Sequence, residues 1–539
     1  MSAKEKSNSK NSFVVQASVL AVASLLVRFI GFLYRMPLTA LIGDSGNAVY
    51  SAGYYIYTFL LILSSAGLPA AISRLVSTRV TKNEYRNAHR IFKVSMVFAG
   101  TAGAIGMLIL YFFAKPIAFA VDSPNSVYCL KTLAPTLFIV GLMSVYRGYL
   151  QGMNIMKPTA ISQLFEQLFN AFFSVYLAWV FVKQSIPKGA AGGTAGTGIG
   201  AFVGLIIMMI YYRKMKPTIM RNIRREPVGI RRESNNEAFI SLVRTAFPII
   251  AGTAVFSMTN LIDMKMVMSG LMNSGFFSLT EAEKLYGQLS GKYVTLTTFP
   301  VSLSSAMATA AVPNIAACVT SGNKKEVKRK INTALKLAMV IAIPAAVGIG
   351  VLGDQILLML FPSYPDGGIL LKVGAVSTAF LSLCQIVTGV LQGIGRINIP
   401  VIGALIGAGV KIILNKVLIG IPSINVAGAV ISTDACYLVA AIFNLVMLMR
   451  YTKIKINFRD ILIKPTISAF VMGIGCIGFY KLFMLIFGNA ISTLLSIIVG
   501  MVIYLIVMLV LHGVTEKDFM SIPKGASMVR VLKKVRLMR

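Results

Sequence analysis

The stretch LLVRFIGFLYRMPL, Leu25–Leu38, places two arginines inside a long apolar run that begins near Phe13. A guanidinium in hydrocarbon costs from about 2.5 to more than 10 kcal/mol, depending on the reference state. Either this segment is no membrane span, or Arg28 and Arg35 face a wet, polar interior. The rest of the chain decides. Apolar runs of 18 or more residues recur from end to end, and a run of that length crosses a hydrocarbon core of roughly 30 Å. Of the 539 residues, 56% are hydrophobic and only 13% charged, against about 25% charged in a typical soluble domain. The fold class is an all-α polytopic membrane protein with about fourteen transmembrane helices. No small-residue cleavage site follows the first apolar run, which therefore reads as a retained helix and not as a signal peptide.

The spans read as 13–36, 47–69, 91–113, 129–150, 158–182, 192–212, 240–268, 286–316, 331–353, 369–391, 398–420, 425–449, 464–486 and 490–512. The formal charge is +34, and it falls in alternate loops. Arg79, Lys82, Arg86 and Arg90 follow the second span; Arg221, Arg224, Arg225, Arg231 and Arg232 follow the sixth; Lys325, Lys328, Arg329 and Lys330 follow the eighth; Arg450, Lys453, Lys455 and Arg459 follow the twelfth. The tail adds Lys533, Lys534 and Arg536. By the positive-inside rule the even-numbered loops and both termini are cytoplasmic, in a plasma membrane. The same distribution argues against nucleic acid as the partner of the basic charge.

The chain also repeats itself. YLQG at Tyr149–Gly152 returns as VLQG at Val390–Gly393, the segment from Ala70 returns loosely from Ala310, and AGGTAGT from Ala191 returns as AGAVIST from Ala427. Three matches in one order, at a nearly constant offset, argue for duplication. Six spans per copy make the copies parallel repeats about an axis along the membrane normal. The expected organisation is an N-lobe over 1–213, a cytoplasmic linker over 214–239, a C-lobe over 240–451, and two added helices with a basic tail over 452–539. Transporters of this build bind substrate between lobes, near the bilayer midplane.

Motifs of soluble enzymes mislead here. GIGVLG at Gly348–Gly353 fits a dinucleotide fingerprint without its strand–turn–helix setting, and reads as close helix packing. GQLSGKY at Gly287–Tyr293 is one residue short of a phosphate-binding loop. No cofactor and no catalytic residue is expected, so uphill transport would draw on Na+, H+ or the membrane potential. The five cysteines are scattered through apolar runs and suggest neither a disulfide framework nor a metal site. His89 and His512 read as interfacial.

The charges at depth carry the functional signal. Arg28 and Arg35 lie seven residues apart, almost two helical turns, and so point the same way. Lys265, Lys292 and Lys411 fall inside later spans, and Arg74 closes the second. Acids are fewer: Glu166, Asp263 and Asp434. Arg74 reads equally as a snorkelling interfacial side chain. Arg35 can reach the outer headgroups, Glu166 with Asn170 can tie helices together, and Asp263 can neutralise a neighbouring cation. Arg28 lies too deep for such readings and points to a wet cavity. Basic excess at depth suits an anion, above all a phosphate or pyrophosphate that a planar guanidinium grips in bidentate fashion.

RFIGFLYRMPLTALIG, GLPAAISRLVS, YRGYLQG, KPTAISQLFEQ and NLIDMKMVM resemble the polysaccharide-transporter branch of the multidrug/oligosaccharidyl-lipid/polysaccharide (MOP) exporter superfamily. Within it they are most similar to the Gram-positive group that holds stage V sporulation protein B and the lipid II flippases. The resemblance implies two six-helix lobes in a V, two C-terminal helices that help form a groove for a polyprenyl tail, and alternating access. It implies a protein that moves a polyprenyl-pyrophosphate-linked glycan, lipid II in the first place, from inner to outer leaflet, and a monomer is expected. Arg28, Arg35 and Arg74 would hold the pyrophosphate, Lys292 and Lys411 would add to the field, and Glu166, Asp263 and Asp434 would balance charge or couple an ion. Export of another undecaprenyl-linked polysaccharide, for capsule or spore cortex, fits the same chemistry. A cation-coupled drug exporter fits less well, because organic cations call for acidic, aromatic pockets.

Overall fold

The computed structural model describes residues 19–514 apart from 21, 228, 306–314, 316–323, 397 and 455. The start of the first span, most of the repeat segment from Ala310, Cys318 and the basic tail lie outside the described residues. Among the described residues ten helices are long and apolar enough to cross a membrane, or eleven if one bent pair counts as a single span.

Contacts divide the chain into two compact units: one holds residues up to Met272 with Phe277–Gly287, the other Asn273–Phe276 and the chain from Gln288 onward. The first unit contains α1 (Val22–Leu33), α2 (Arg35–Leu61), α3 (Leu68–Thr81), α4 (Tyr85–Phe112), α5 (Ala114–Ala120), α6 (Val127–Gly152), α7 (Lys157–Val182), α8 (Ile186–Arg224), α9 (Asn235–Asn273) and α10 (Leu279–Gly287). The second contains α11 (residues 294–305), α12 (Lys324–Val351), α13 (Gly353–Leu360), α14 (Gly368–Gly374), α15 (Ser377–Gly393), α16 (Asn398–Leu418), α17 (Ala427–Thr452), α18 (Lys464–Met484) and α19 (Asn489–Val510). The element order repeats. In each half a long helix meets a short one (α4–α5, α12–α13), and a later helix ends on the LQG triplet (α6, α15). Two residues beyond each triplet the backbone turns left-handed, at Asn154 (φ 60°) and Gly395 (φ 83°).

Several spans run differently from the hydropathy reading. Within α2, Gly43 (φ 67°, ψ −172°) breaks the helix, so the chain up to Ile42 and the chain from Asp44 are separate helices. Only glycine takes that conformation cheaply. The corner is tightly covered: a Cβ on Gly287 of α10 would lie 1.7 Å from the Asp44 carbonyl oxygen. The second span continues through a π-turn at Ile62–Ala66 into α3, so Arg74 and Arg79 are helical and the connecting loop is only a few residues. α8 runs on to Arg224, which makes the first half of the expected linker a helical extension. Hydropathy misses such extensions because a helix needs propensity and packing, not apolarity, once it leaves hydrocarbon.

Close packing in the first unit rests on small residues. Gly192, Gly196 and Gly200 of α8 recur at four-residue intervals against α7, where an added Cβ would meet the carbonyl oxygens of Leu177, Asn170 and Glu166 at 2.5, 2.7 and 2.3 Å. Glycine costs helix propensity, yet it lets membrane helices approach backbone to backbone. In the second unit Gly407 of α16 meets the Cys436 carbonyl of α17 in the same way. GIGVLG behaves as packing: Gly350 and Gly353 face Ala375 and Leu371. α19 is tied to its neighbours by Tyr504 Oη, which donates to the Val340 carbonyl at 2.9 Å, and by Asn489, which donates to the Gln355 carbonyl at 3.2 Å.

At the α3–α4 end of the first unit, Leu68, Ile72, Val76, Ile91, Met143, Leu150, Met208 and Leu242 form one core cluster. His89 belongs to this region. Contrary to an interfacial placement, it is buried 3.3 Å from the Tyr149 hydroxyl and stacked on Phe92.

Candidate functional site

The first unit holds a cation wrapped in tyrosines. In YSAGYYIYTF, Tyr50–Phe59, the residues Tyr50, Tyr54 and Tyr57 are spaced i, i+4, i+7 and share one face of α2. Their rings follow one another at 6.0 and 5.9 Å between centroids. The Arg35 guanidinium lies over the Tyr50 ring, 4.5 Å from its centroid. Tyr34 closes the group, its hydroxyl 3.2 Å from that of Tyr50. A cation over an aromatic face in a desolvated site is stabilised by about 2 kcal/mol. That does not offset the loss of water from a guanidinium, and Arg35 Nη1 is buried with no hydrogen-bond partner among the described residues. A strong donor is held where an anionic oxygen would satisfy it.

Acids lie near the same group. Tyr55 lies within electrostatic reach of both Arg35 and Asp263, and Tyr286 of Asp263. Glu166 reaches Tyr54 and Tyr57. Its charge is already matched, for Arg147 Nη2 of α6 donates to Glu166 Oε2 at 2.7 Å and to Ser162 Oγ at 2.9 Å. Asn170, one turn on, accepts from Ser174 Oγ at 2.9 Å.

The other sequence-predicted residues have settings of their own. Arg28 is exposed on α1 and Arg74 exposed on α3. The arginine near Arg74 that is buried is Arg79, whose Nε and Nη2 donate to Glu233 at 3.0 and 2.6 Å. Lys292 and Lys411 lie in the second unit. Lys292 sits in a buried π-turn, Gln288–Tyr293, and its ammonium donates to the carbonyls of Tyr364 at 2.6 Å and Asp366 at 3.0 Å. GQLSGKY is thus a packed turn that holds a loop, not a phosphate cradle. Lys411 is buried on α16, and Asp434 on α17 lies within its field; Asp434 Oδ1 has no hydrogen-bond partner among the described residues. Lys265 pairs with Asp122 at 2.7 Å. Sequence reading passed over the tyrosines, Arg147 and the Arg79–Glu233 pair. Four tyrosines within eight residues of an apolar span was a visible signal for the first.

Each unit carries an apolar groove. One, of about 780 Å³, runs between the α1–α2 junction and α7, with Ile30, Tyr34, Leu41, Ala171, Tyr176 and Trp179 in its walls. The other, of about 610 Å³, lies in the second unit among α12, α15, α17 and the start of α18, with Ile343, Phe380, Leu445 and Leu462 in its lining.

An all-helical bundle of apolar spans, with the Arg35 guanidinium held among tyrosines, defines a polytopic membrane protein. The comparisons agree: a family model described as polysaccharide biosynthesis protein matches residues 13–319, and a second, MatE, matches residues 290–417. The chain belongs to the polysaccharide biosynthesis protein family, in the polysaccharide-transporter branch of the MOP superfamily. It is 26% identical over 474 residues to the lipid II flippase MurJ of Bacillus subtilis, covering 84% of this chain and 85% of the relative. It is 24% identical over 452 residues to stage V sporulation protein B of the same organism, covering 84% and 86%. Among solved structures, lipid II flippase MurJ in an inward closed conformation superposes with a TM-score of 0.67 at 15% identity, over 92% of this chain and 98% of that one. Membership of a transporter family makes the protein a transporter and not an enzyme.

Proposed function

We propose that the protein is a lipid-linked oligosaccharide flippase that moves lipid II from the inner to the outer leaflet by alternating access. The observation that carries this reading is Arg35: a guanidinium enclosed by tyrosines, with a buried donor that has no acceptor among the described residues. A pyrophosphate supplies such an acceptor, and the surrounding tyrosine faces and hydroxyls suit sugar rings. Arg28, seven residues earlier, and Arg74 would take the headgroup as it enters; both are exposed, as a receiving residue must be. Asp263 would balance Arg35 while the site is empty. Lys292 serves a structural role in this reading, since backbone carbonyls hold its ammonium. Lys411 with Asp434 is the pair on which a coupling ion or the membrane potential would act, at about 2.3 kcal/mol per charge per 100 mV. The groove beside α18 would take the polyprenyl tail, in keeping with the role the family gives its C-terminal helices. The sequence repeats over 1–213 and 240–451 would form the two lobes, with 214–239 as linker, about fourteen spans in all, and both termini in the cytoplasm.

Support comes from the family match and from the two named relatives. The deciding experiment is rescue of bacterial cells depleted of their only lipid II flippase. Growth with lipid II appearing at the outer leaflet supports lipid II as cargo. Failure by a protein that is expressed and inserted would transfer the reading to another undecaprenyl-linked polysaccharide, which the same phosphate site would serve.

A further inference from the structure

We infer that α10 (Leu279–Gly287) is a proton-sensitive lid on the Arg35–tyrosine group, seated on α2 and latched through the carboxyl of Glu283. The inference rests on the flippase reading for what the lid admits, and adds a control which that reading leaves out.

A capping box starts the helix: the Ser278 amide donates to Glu281 Oε2 at 2.8 Å, and the Glu281 amide to Ser278 Oγ at 3.4 Å. Ala282, Glu283, Tyr286 and Gly287 then form one buried face, while Glu281 and Lys284 are exposed. That face sits against α2, where Gly287 meets the Asp44 carbonyl just past the break at Gly43. Tyr286 lies within electrostatic reach of Tyr55 and Asp263, and Tyr55 within reach of Arg35, so α10 borders the cation site through its own tyrosine. Two ties fasten it to the turn before α6. Asn125 Nδ2 donates to Glu283 Oε1 at 2.8 Å, and Lys265 of α9, the helix that precedes α10, pairs with Asp122 at 2.7 Å. The chain enters Phe277–Gly287 from the second unit and returns to that unit at Gln288. Side-chain contacts, not chain continuity, therefore hold α10 on the first unit. Gly275 (φ 73°), with open space around it, supplies a hinge in the turn before the helix.

Glu283 is 5% exposed. A buried carboxylate is costly unless a charge matches it, and the amide of Asn125 is neutral. Burial pushes the Glu283 carboxyl up, with the Asn125 hydrogen bond opposing. The charged groups on the neighbouring elements are Asp44 of α2, Asp122 of the turn, and Asp263 and Lys265 of α9; Glu281 and Lys284 of α10 itself are exposed. Acids outnumber cations there, and Lys265 already pairs with Asp122. Protonated, Glu283 still accepts from Asn125 and brings no charge; ionised, it favours water. A carboxyl held higher when seated than when released favours the seat at low pH. That preference is lost as pH rises from the ordinary carboxylate range through the raised value. The lid closes in acid and loosens toward neutrality.

Ala282 is fully buried on the seated face and Lys284 is exposed on the same helix, which supplies a probe and its reference. Single cysteines, Ala282→Cys and Lys284→Cys, are placed in the full chain in a cysteine-free background and reconstituted in nanodiscs. Both thiols react faster as pH rises, so the ratio of their labelling rates isolates the lid. Between about pH 5 and 8 that ratio should rise by up to about tenfold per pH unit, the limit for one proton. Glu283→Gln keeps an acceptor for Asn125 without the charge, and should hold the ratio low and flat. Asn125→Ala should raise it about fivefold at every pH, the loss of one hydrogen bond. Glu281→Gln should leave the rise as in the wild type. Undecaprenyl phosphate should bind the Glu283→Gln chain roughly tenfold more slowly than the wild type at pH 8, because the open fraction falls. A wild-type ratio that does not change with pH, a rise that survives Glu283→Gln, or equal binding rates would each overturn the proposal. Rescue of flippase-depleted cells by a chain with a flat ratio would remove the lid and leave the flippase reading standing. A pH-dependent ratio in a chain that fails rescue would keep the lid and move the cargo to another glycan.

Discussion

At the scale of single residues, the two arginines of the first span separate cleanly. Arg28 is exposed on α1, so its side chain contributes little to packing. Arg28→Ala should leave expression and detergent melting unchanged while flipping falls to near background. Arg28→Lys should rescue partly, because an ammonium restores charge without the planar fork. Arg35→Ala should lose transport as well, and here the melting temperature should hold or rise, since removing a buried donor with no acceptor removes a desolvation cost. Complementation with outer-leaflet lipid II as the readout checks both; a wild-type rate for Arg35→Ala would show the tyrosine cage to be structural. These residues were legible because charge in hydrocarbon is conspicuous in a sequence. Their partners were not. Nothing in the local sequence says that Lys292 will find carbonyls at Tyr364 and Asp366, or that Glu166 will find Arg147 on a neighbouring helix. Such pairings belong to the packing of helices, which periodicity does not encode.

At the scale of elements, two contacts decide how the first unit holds together. The α7–α8 seam rests on glycine. Gly196→Leu drives a side chain into Ser174, whose backbone nitrogen would lie 2.4 Å from the added Cβ. Overpacking of that kind costs about 1–3 kcal/mol or more, and should appear as reduced folded yield and a lower melting temperature. Gly409→Ala on α16 meets nothing within 4 Å and should be neutral or mildly stabilising, which makes it the control. The second contact fastens the chain after α8. Beyond the Arg79–Glu233 pair, Asn87 donates to the Arg231 carbonyl at 2.9 Å and accepts from the Glu233 amide at 3.1 Å, and the Arg86 amide donates to Glu226 at 2.8 Å. Glu233→Gln should cost about 2 kcal/mol, the loss of a charge-assisted contact that leaves Arg79 buried. Limited proteolysis should then cut between 225 and 234 faster than in the wild type. The basic run was visible in the sequence, but its docking was not, because three of the ties use backbone groups.

At the scale of the whole molecule, the fold class was legible almost entirely from composition and run length. Span ends were not, because α3 and α8 continue as helices into polar sequence. The orientation follows from charge alone and has its own test. Single cysteines at Ser234 and Ser363 in a cysteine-free background should differ toward an impermeant thiol reagent on intact cells: Ser363 should label and Ser234 should not. Strong labelling of Ser234 would invert the topology, and with it the direction of transport.

The length of α8 has a mechanical consequence. Its 39 residues make a rod of about 58 Å, close to twice the hydrocarbon thickness. It is seamed to α7 along its glycines and followed by a segment clipped to α3 and α4, so in the transport cycle proposed above it would move together with those helices. For such a body, a rotation of about ten degrees about its outer end sweeps the tip of the rod through roughly 10 Å. In that cycle a small angular change within the bilayer would be geared up into a large linear stroke of Arg221 and Arg224. A distance probe on that tip would read the transport cycle with more gain than any label placed inside the membrane.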